Sequence, residues 1–267
     1  MTIELALPFV GAWQVRNSPA ERVPSHGTTR FASAHAIDFV PVGGDERTAP
    51  LTWRSLLRPE PPEHFPGFGR AIDSPVNGEV VVAHDGEPDH AAHRGLPSLG
   101  YALTQGRRAA AGWPALAGNH VVLEPDPGGP VVLLAHLRCG SVRVAVGERV
   151  RAGEVLGECG NSGNSTEPHV HVQVSDCTDW ERATGLPLAY AGGATRVVYT
   201  SGTTGRPKGV ILGDRQLTAS ALGLSQAIGA GPGDRYLSVL PQAQLLEQIC
   251  GIFLPILAGA ETVLCPE

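Results

Sequence analysis

The segment His169-Val170-His171-Val172-Gln173-Val174 alternates polar and apolar residues without a break. A strand sends successive side chains to opposite faces, so His169, His171 and Gln173 share one face and the valines take the other. Two imidazoles at that spacing can meet one metal ion, or one can bind while its neighbour works on substrate. A solvated strand face with two incidental histidines fits the same pattern. Asp38 stands in His35-Ala36-Ile37-Asp38-Phe39-Val40, where a strand turns Ile37 and Phe39 one way and Asp38 the other. His136 closes another apolar run, VVLLAH. Three separated elements therefore each offer a metal ligand or an acid–base group. Zinc chemistry needs nitrogen and oxygen donors that converge with one position left for water. The metal acidifies that water and polarises a carbonyl, and a nearby imidazole shuttles the proton.

A second segment, YTSGTTGRPKGV at 199–210, has a different chemistry. Its glycines let backbone N–H groups approach phosphate oxygens, Ser201, Thr203 and Thr204 add hydroxyl donors, and Lys208 adds charge. The spacing from Gly202 through Gly205 to Lys208, with no Ser or Thr after the lysine, excludes a Walker A loop.

The elements that position these groups follow two grammars. Residues 1–188 alternate short apolar strands with Gly, Pro and Asp turns, as at Gly78–Ala83, Val121–Glu124, Val131–Leu134 and Ser141–Val146, which predicts an antiparallel β domain. Within VAVGERVRAGEVLGECGNSG, glycines recur as tight turns require. All ten histidines fall before residue 172. From Thr195 the pattern becomes βα alternation, the mark of a mostly parallel sheet. Strands are expected at Arg196–Thr200, Val210–Leu212, Tyr236–Leu240 and Thr262–Cys265, with helices over Asp214–Ile228 and Leu245–Leu257. The expected fold class is mainly β, an antiparallel sheet domain at 1–188, then a junction at 189–194 and a short, incomplete α/β fragment at 195–267.

Composition narrows the function classes. The chain has 267 residues, 34 of them glycine and 23 proline, with a formal charge of −6, which argues against a dominant nucleic-acid partner. Lys208 is the sole lysine. Five cysteines (Cys139, Cys159, Cys177, Cys250 and Cys265) with no CxxC pair argue against a disulfide framework or a cysteine-rich zinc knuckle. The start, MTIELALPFVGAW, has no basic region and no adequate apolar run, so no signal peptide is read. Segment 244–258 is too short for a membrane span, carries Glu247, and reads as a buried helix.

Over residues 10–188 the chain resembles the lysostaphin-type zinc endopeptidases, cell-wall enzymes that cut peptide bridges in peptidoglycan. The likeness is carried by GERVRAGEVLGECGNSGNSTEPHVHVQV, with its spaced glycines and Ser-Gly-x-Ser-x-x-Pro-His-x-His, and by AHL at 135–137. The resemblance implies Zn²⁺ as cofactor, His171 and Asp38 as ligands, and His169 and His136 as catalytic imidazoles acting on a zinc-activated water. It implies a peptidoglycan or similar peptide substrate. For the first ligand, many members use a histidine four residues before the aspartate, a place that Ala34 occupies here. His35 and His26 are the alternatives. On a strand His35 falls opposite Asp38, whereas His26 sits in a loop able to fold back over the sheet, as in family variants with a longer loop between ligands, and it is favoured. His64, His84, His90, His93 and His120 are expected in loops or at the surface, and DHAAH at 89–93 is a weak metal candidate. A cell-wall substrate requires export, so localisation is left unassigned. The same fold without catalysis, as a peptidoglycan-binding or regulatory module, is the alternative.

YTSGTTGRPKGV resembles the phosphate loop of adenylate-forming enzymes, the acyl-CoA synthetases and their relatives, and LSVLPQAQLLEQICGIFLPILAGAETVL extends the likeness. Their adenine and acyl pockets come from several hundred further residues. No adenylation chemistry is therefore expected of this fragment, and a nucleotide-binding remnant is a further alternative.

Overall fold

The alternation at 169–174 folds into a strand whose valines, Val170, Val172 and Val174, are all buried. The computed structural model describes residues 3–43, 47–50, 53–103, 112–190, 196–200, 208–212, 214–238, 250 and 254–264. The chain divides into two units, Met1–Ala191 and Gly192–Glu267.

In the first unit the strands are β1 (Ile3–Leu5), β2 (Trp13–Arg16), β3 (Ile37–Pro41), β4 (Ala71–Asp73), β5 (Gly78–His84) and β6 (Asn119–Glu124). They continue as β7 (Val131–Leu137), β8 (Arg149–Val150), β9 (Val155–Glu158), β10 (Val170–Ser175), β11 (Gly185–Leu186) and β12 (Leu188–Tyr190). The main sheet runs β2-β3-β10-β7-β6-β5-β8, with β11 also on β10, and these pairings are antiparallel. Small two-stranded pairs, β4 with β9 and β1 with β12, flank it. The unit is mainly β, as its short alternating runs imply.

Register decides what each face carries. His171 lies opposite Asp38 on β3 and Ala135 on β7, and Gln173 lies opposite Leu133. One face therefore presents Asp38, His171, Gln173, Leu133 and Ala135. Val170 and Val172 pair with Phe39 and Ile37 on the other face, where Val132 and Leu134 extend the core. Strand β7 is buried along its whole length, which is why its sequence is almost continuously apolar. On the site face Leu133 and Ala135 pack with Val122, Trp113 and Trp180, whose rings stack with centroids 4.4 Å apart.

One glycine is dictated by close approach. Gly160 N–H donates to the carbonyl of His136 at 3.1 Å, and Gly160 bridges His169. A Cβ at Gly160 would overlap the backbone of Arg138. Gly160→Ala should therefore spread the two histidine-bearing segments, lowering stability in urea melts by about 1–3 kcal/mol, the range for overpacking.

Two expectations change. Ser141–Val146 forms no strand. Instead, Asp85 accepts from the N–H groups of Gly140 and Val142, and Glu148 from that of Ala145, so side-chain carboxylates satisfy donors that a ladder would otherwise take. His120 is buried on β6, stacked on His84 at 5.2 Å and edge-on to Trp113.

The second unit contains β13 (Arg196–Thr200), β14 (Lys208–Leu212), a helix at Asp214–Ile228, β15 (Arg235–Ser238), a helix at Leu254–Ala258 and β16 (Glu261–Leu264). β15 and β16 are parallel, with the second helix between them in sequence, a βαβ arrangement. β13 and β14 pair antiparallel, against the expectation of parallel order. Segment 201–207 between them is shorter than the dozen or so residues a parallel crossover needs. The expected phosphate loop falls mostly in 201–207, outside the described residues, as do 239–249, 251–253 and Cys265. Among the described residues no helix is long and apolar enough to cross a membrane.

Candidate metal centre

Asp38 occupies the middle of β3 with its carboxylate buried, 6 % exposed, on the same face as His171. His171 Nδ1 lies 2.9 Å from Asp38 Oδ1. The third member arrives from the loop between β2 and β3. Asn17, in the left-handed region at φ 48°, turns the chain out of β2, and its amide donates to Asp38 Oδ2 at 2.7 Å. The loop then returns to the sheet, because the Ser25 N–H donates to the Ala34 carbonyl and the Ser25 hydroxyl to the Ala36 carbonyl, at 2.7 Å. That hydroxyl oxygen lies 3.0 Å from His26 Nδ1 and can accept its proton, which leaves His26 Nε2 facing Asp38 at 3.1 Å. Among the described residues, His26, Asp38 and His171 form a group whose ligand atoms all lie within 4.8 Å of one another.

His35 is not part of that group. It ends a 3-10 turn, Arg30–His35, rather than starting the strand. His26→Ala is expected to abolish zinc retention while His35→Ala keeps about one zinc per chain, as elemental analysis of both variants would read. The reverse would move the ligand to His35.

Two more imidazoles face the group. His169 precedes β10, and its Nδ1 lies 2.8 Å from the Glu167 carbonyl, an acceptor only. That nitrogen therefore carries the proton, and Nε2 presents its lone pair toward Asp38 Oδ1, 3.7 Å away. His136 repeats the logic, with Nδ1 donating to the Ser162 carbonyl at 3.0 Å. Strict alternation along β7 would point His136 away from the site face. The register between β6 and β7 slips there, from Asn119–Leu137 to His120–Ala135, leaving His136 as a bulged residue at φ 65°. The bulge turns its ring toward the site, 4.6 Å from His169 and 5.8 Å from His171 between centroids. A non-glycine residue held at positive φ costs energy, and such positions cluster at functional sites.

Charge sorts these groups. Burial pushes the Asp38 carboxyl upward, but His26, His169 and the hydrogen bonds from His171 and His26 outweigh it and hold Asp38 well below the usual carboxylate range. Burial also pushes His26 down, and the Asp38 charge reverses this to a raised pKa. For His136, burial followed by repulsion from His169 and His171 keeps the ring well below the usual imidazole value, hence neutral near pH 7. Burial likewise lowers His169. The result is one carboxylate among nitrogen donors, with two neutral imidazoles ready to accept protons.

Asp38 and the four histidines His26, His136, His169 and His171 line one cavity of about 700 Å3, together with Trp113 and Gln173. Asn17, Ser25 and Trp113 escape sequence reasoning, since one Asn, Ser or Trp outside a periodic run carries no spacing signal. DHAAH takes no part in the centre: His90 Nε2 bonds the Gly163 carbonyl and Asp89 accepts from the Cys139 and Asn161 N–H groups, so the cluster holds neighbouring turns.

Among known proteins, the Peptidase family M23 model matches residues 83–182 and the AMP-binding enzyme model residues 192–267. The solved catalytic domain of the antimicrobial peptidase lysostaphin from Staphylococcus simulans is 18% identical, with 56% of this chain and 73% of that one covered at a TM-score of 0.33. The prophage-encoded M23 protein EnpA from Enterococcus faecalis is 16% identical, over 58% of this chain and 75% of that one, also at 0.33. Sulfoacetate–CoA ligase of Cupriavidus necator is 34% identical over 84 residues, 32% of this chain. A CoA ligase of Gibberella moniliformis is 44% identical over 64 residues, 24% of this chain. The chain spans 16% and 11% of the lengths of these two ligases. The likeness to peptidase family M23 thus falls on residues 83–182, and the likeness to AMP-binding enzymes on residues 192–267 after it.

Proposed function

We propose that the Met1–Ala191 unit is a zinc-dependent endopeptidase that hydrolyses peptide bonds in peptidoglycan or similar peptides. The observation that carries this reading is the convergence of His26 Nε2, Asp38 and His171 Nδ1 beside two neutral imidazoles in one open cavity. The donor set fits the metal. Two nitrogens and one carboxylate oxygen are the three-ligand set of a catalytic zinc site, and bonds of about 2.0–2.2 Å make tetrahedral edges of roughly 3.3–3.6 Å. The contacts to Asp38, at 3.1 Å from His26 and 2.9 Å from His171, lie close to such edges. Bound there, Zn²⁺ would supply Lewis acidity, acidifying a water and polarising the peptide carbonyl.

The chain's own residues account for the remaining steps. The Trp113 and Leu133 side chains form an apolar wall of the cavity against which an extended peptide can lie. His169, with its Nε2 lone pair toward the centre, takes the proton from the attacking water and returns it to the leaving amine. His136, whose Nδ1 proton is committed to the Ser162 carbonyl, can stabilise the developing oxyanion only after its Nε2 takes up a proton. The Glu167 and Ser162 carbonyls keep both rings in the required orientation.

The test is release of soluble fragments from purified peptidoglycan, with and without a chelator and with zinc restored. Chelator-sensitive release that returns with zinc supports the reading. Zinc binding with no cleavage of peptidoglycan or of mixed peptide substrates would instead favour a binding or regulatory module. We propose no adenylation activity for the 195–267 fragment.

A further inference from the structure

Gln173 lies two residues beyond His171 on the same face of β10 and is 2 % exposed. Its amide N–H donates to the Phe31 carbonyl at 3.0 Å. A carbonyl can only accept, so this bond fixes which end of the amide faces which neighbour. Oε1 is thereby turned to His171 Nε2, 2.9 Å away. Oε1 can only accept as well, so Nε2 of His171 must carry the proton. Nδ1, which lies 2.9 Å from Asp38 Oδ1, is then the nitrogen that gives up its proton and supplies a lone pair when a metal binds.

The anchor for this relay is built into the backbone. Phe31 and Ala32 both sit in the left-handed region, at φ 56° and 61°. Ala32 is fully buried, and Gly185 on β11 approaches its carbonyl so closely that a Cβ there would overlap it. The strained turn is therefore clamped against β11, and its Phe31 carbonyl is held over Gln173. The same loop carries His26, so one amide joins the segment bearing the first nitrogen ligand to the strand bearing the second.

From this chain of contacts we propose that Gln173 is a positioning residue, which selects the Nε2-protonated tautomer of His171 and thereby makes Nδ1 the metal-binding atom. The inference rests on the zinc-site reading given above. Partners of this kind, which hydrogen-bond a ligating histidine from behind, typically change metal affinity 10–100-fold when removed.

The experiment uses the full chain and three proteins: wild type, Gln173→Leu, and Gln173→Glu, which restores an acceptor for Nε2. Zinc affinity is measured by competition with a chromophoric chelator, and long-range proton–nitrogen NMR of the zinc-loaded proteins reads which nitrogen of His171 is protonated. Melting of the metal-stripped proteins reads folding separately. Gln173→Leu should bind zinc 10–100-fold more weakly and show His171 with mixed ring orientation, while Gln173→Glu returns to within a few-fold of wild type. Equal zinc affinity in wild type and Gln173→Leu would overturn the positioning role and leave the metal site standing. Failure of Gln173→Glu to recover affinity, when it melts like wild type, would also overturn it. A wild type that takes up no zinc would overturn the site itself and this inference with it.

Discussion

Asp38→Asn is expected to leave the fold intact and to weaken zinc binding by more than about 100-fold, because removing even an outer partner of a ligand costs 10–100-fold. Hydrolysis should fall to the level of the no-enzyme control after dialysis. Asn keeps the shape of Asp38 and can still accept from Asn17 or His171, so packing on β3 is preserved. What it removes is the charge at the centre of the cluster. Three histidines surround that carboxylate, His26, His171 and His169 at 3.1, 2.9 and 3.7 Å. A divalent ion placed between neutral imidazoles and an amide has no anionic donor. Elemental analysis after dialysis, with far-UV circular dichroism to check folding, measures the effect. One zinc per chain in Asp38→Asn would place the metal elsewhere.

His169→Ala should separate chemistry from binding. Its Nδ1 is committed to the Glu167 carbonyl and its Nε2 faces Asp38 without being one of the three grouped ligand atoms. Zinc should therefore stay at about one per chain while the turnover number drops by about 10²–10⁴-fold, the usual contribution of a positioned acid–base group. Burial lowers the His169 pKa, so the ring is available as a base near neutrality. Single-turnover cleavage of a fluorogenic peptide reads the loss. Turnover within a few-fold of wild type would remove His169 from the proton-transfer role and leave His136 to carry it.

The parts of this site that were legible in the sequence are those fixed by local periodicity. A strict two-residue alternation puts His169, His171 and Gln173 on one face whatever the rest of the chain does, and Asp38 between Ile37 and Phe39 obeys the same rule. The repeated glycines of 147–163 signalled turns, and Gly147 and Gly153 do take positive φ. His136 shows where the rule stops. It ends an apolar run, but its direction depends on a register slip against β6, a property of two strands that one strand's sequence does not contain. His26 depends on a loop whose return is held by Ser25 and Asn17 through bonds to residues 9 to 21 positions away. His120 reads as a loop or surface residue, yet it is buried on β6, edge-on to Trp113 and stacked on His84, and burial pushes its pKa down to about 4. The antiparallel β13–β14 pair followed from loop length, which βα counting overlooks.

The most direct measurement is the zinc content of the wild-type protein purified without chelator, set beside its hydrolysis of peptidoglycan before and after chelation. About one zinc per chain is expected, with fragment release that the chelator abolishes and that returns when zinc is added back. Protein that carries no zinc, gains none when it is supplied, and behaves the same with and without chelator would mean that His26, Asp38 and His171 do not form a metal centre.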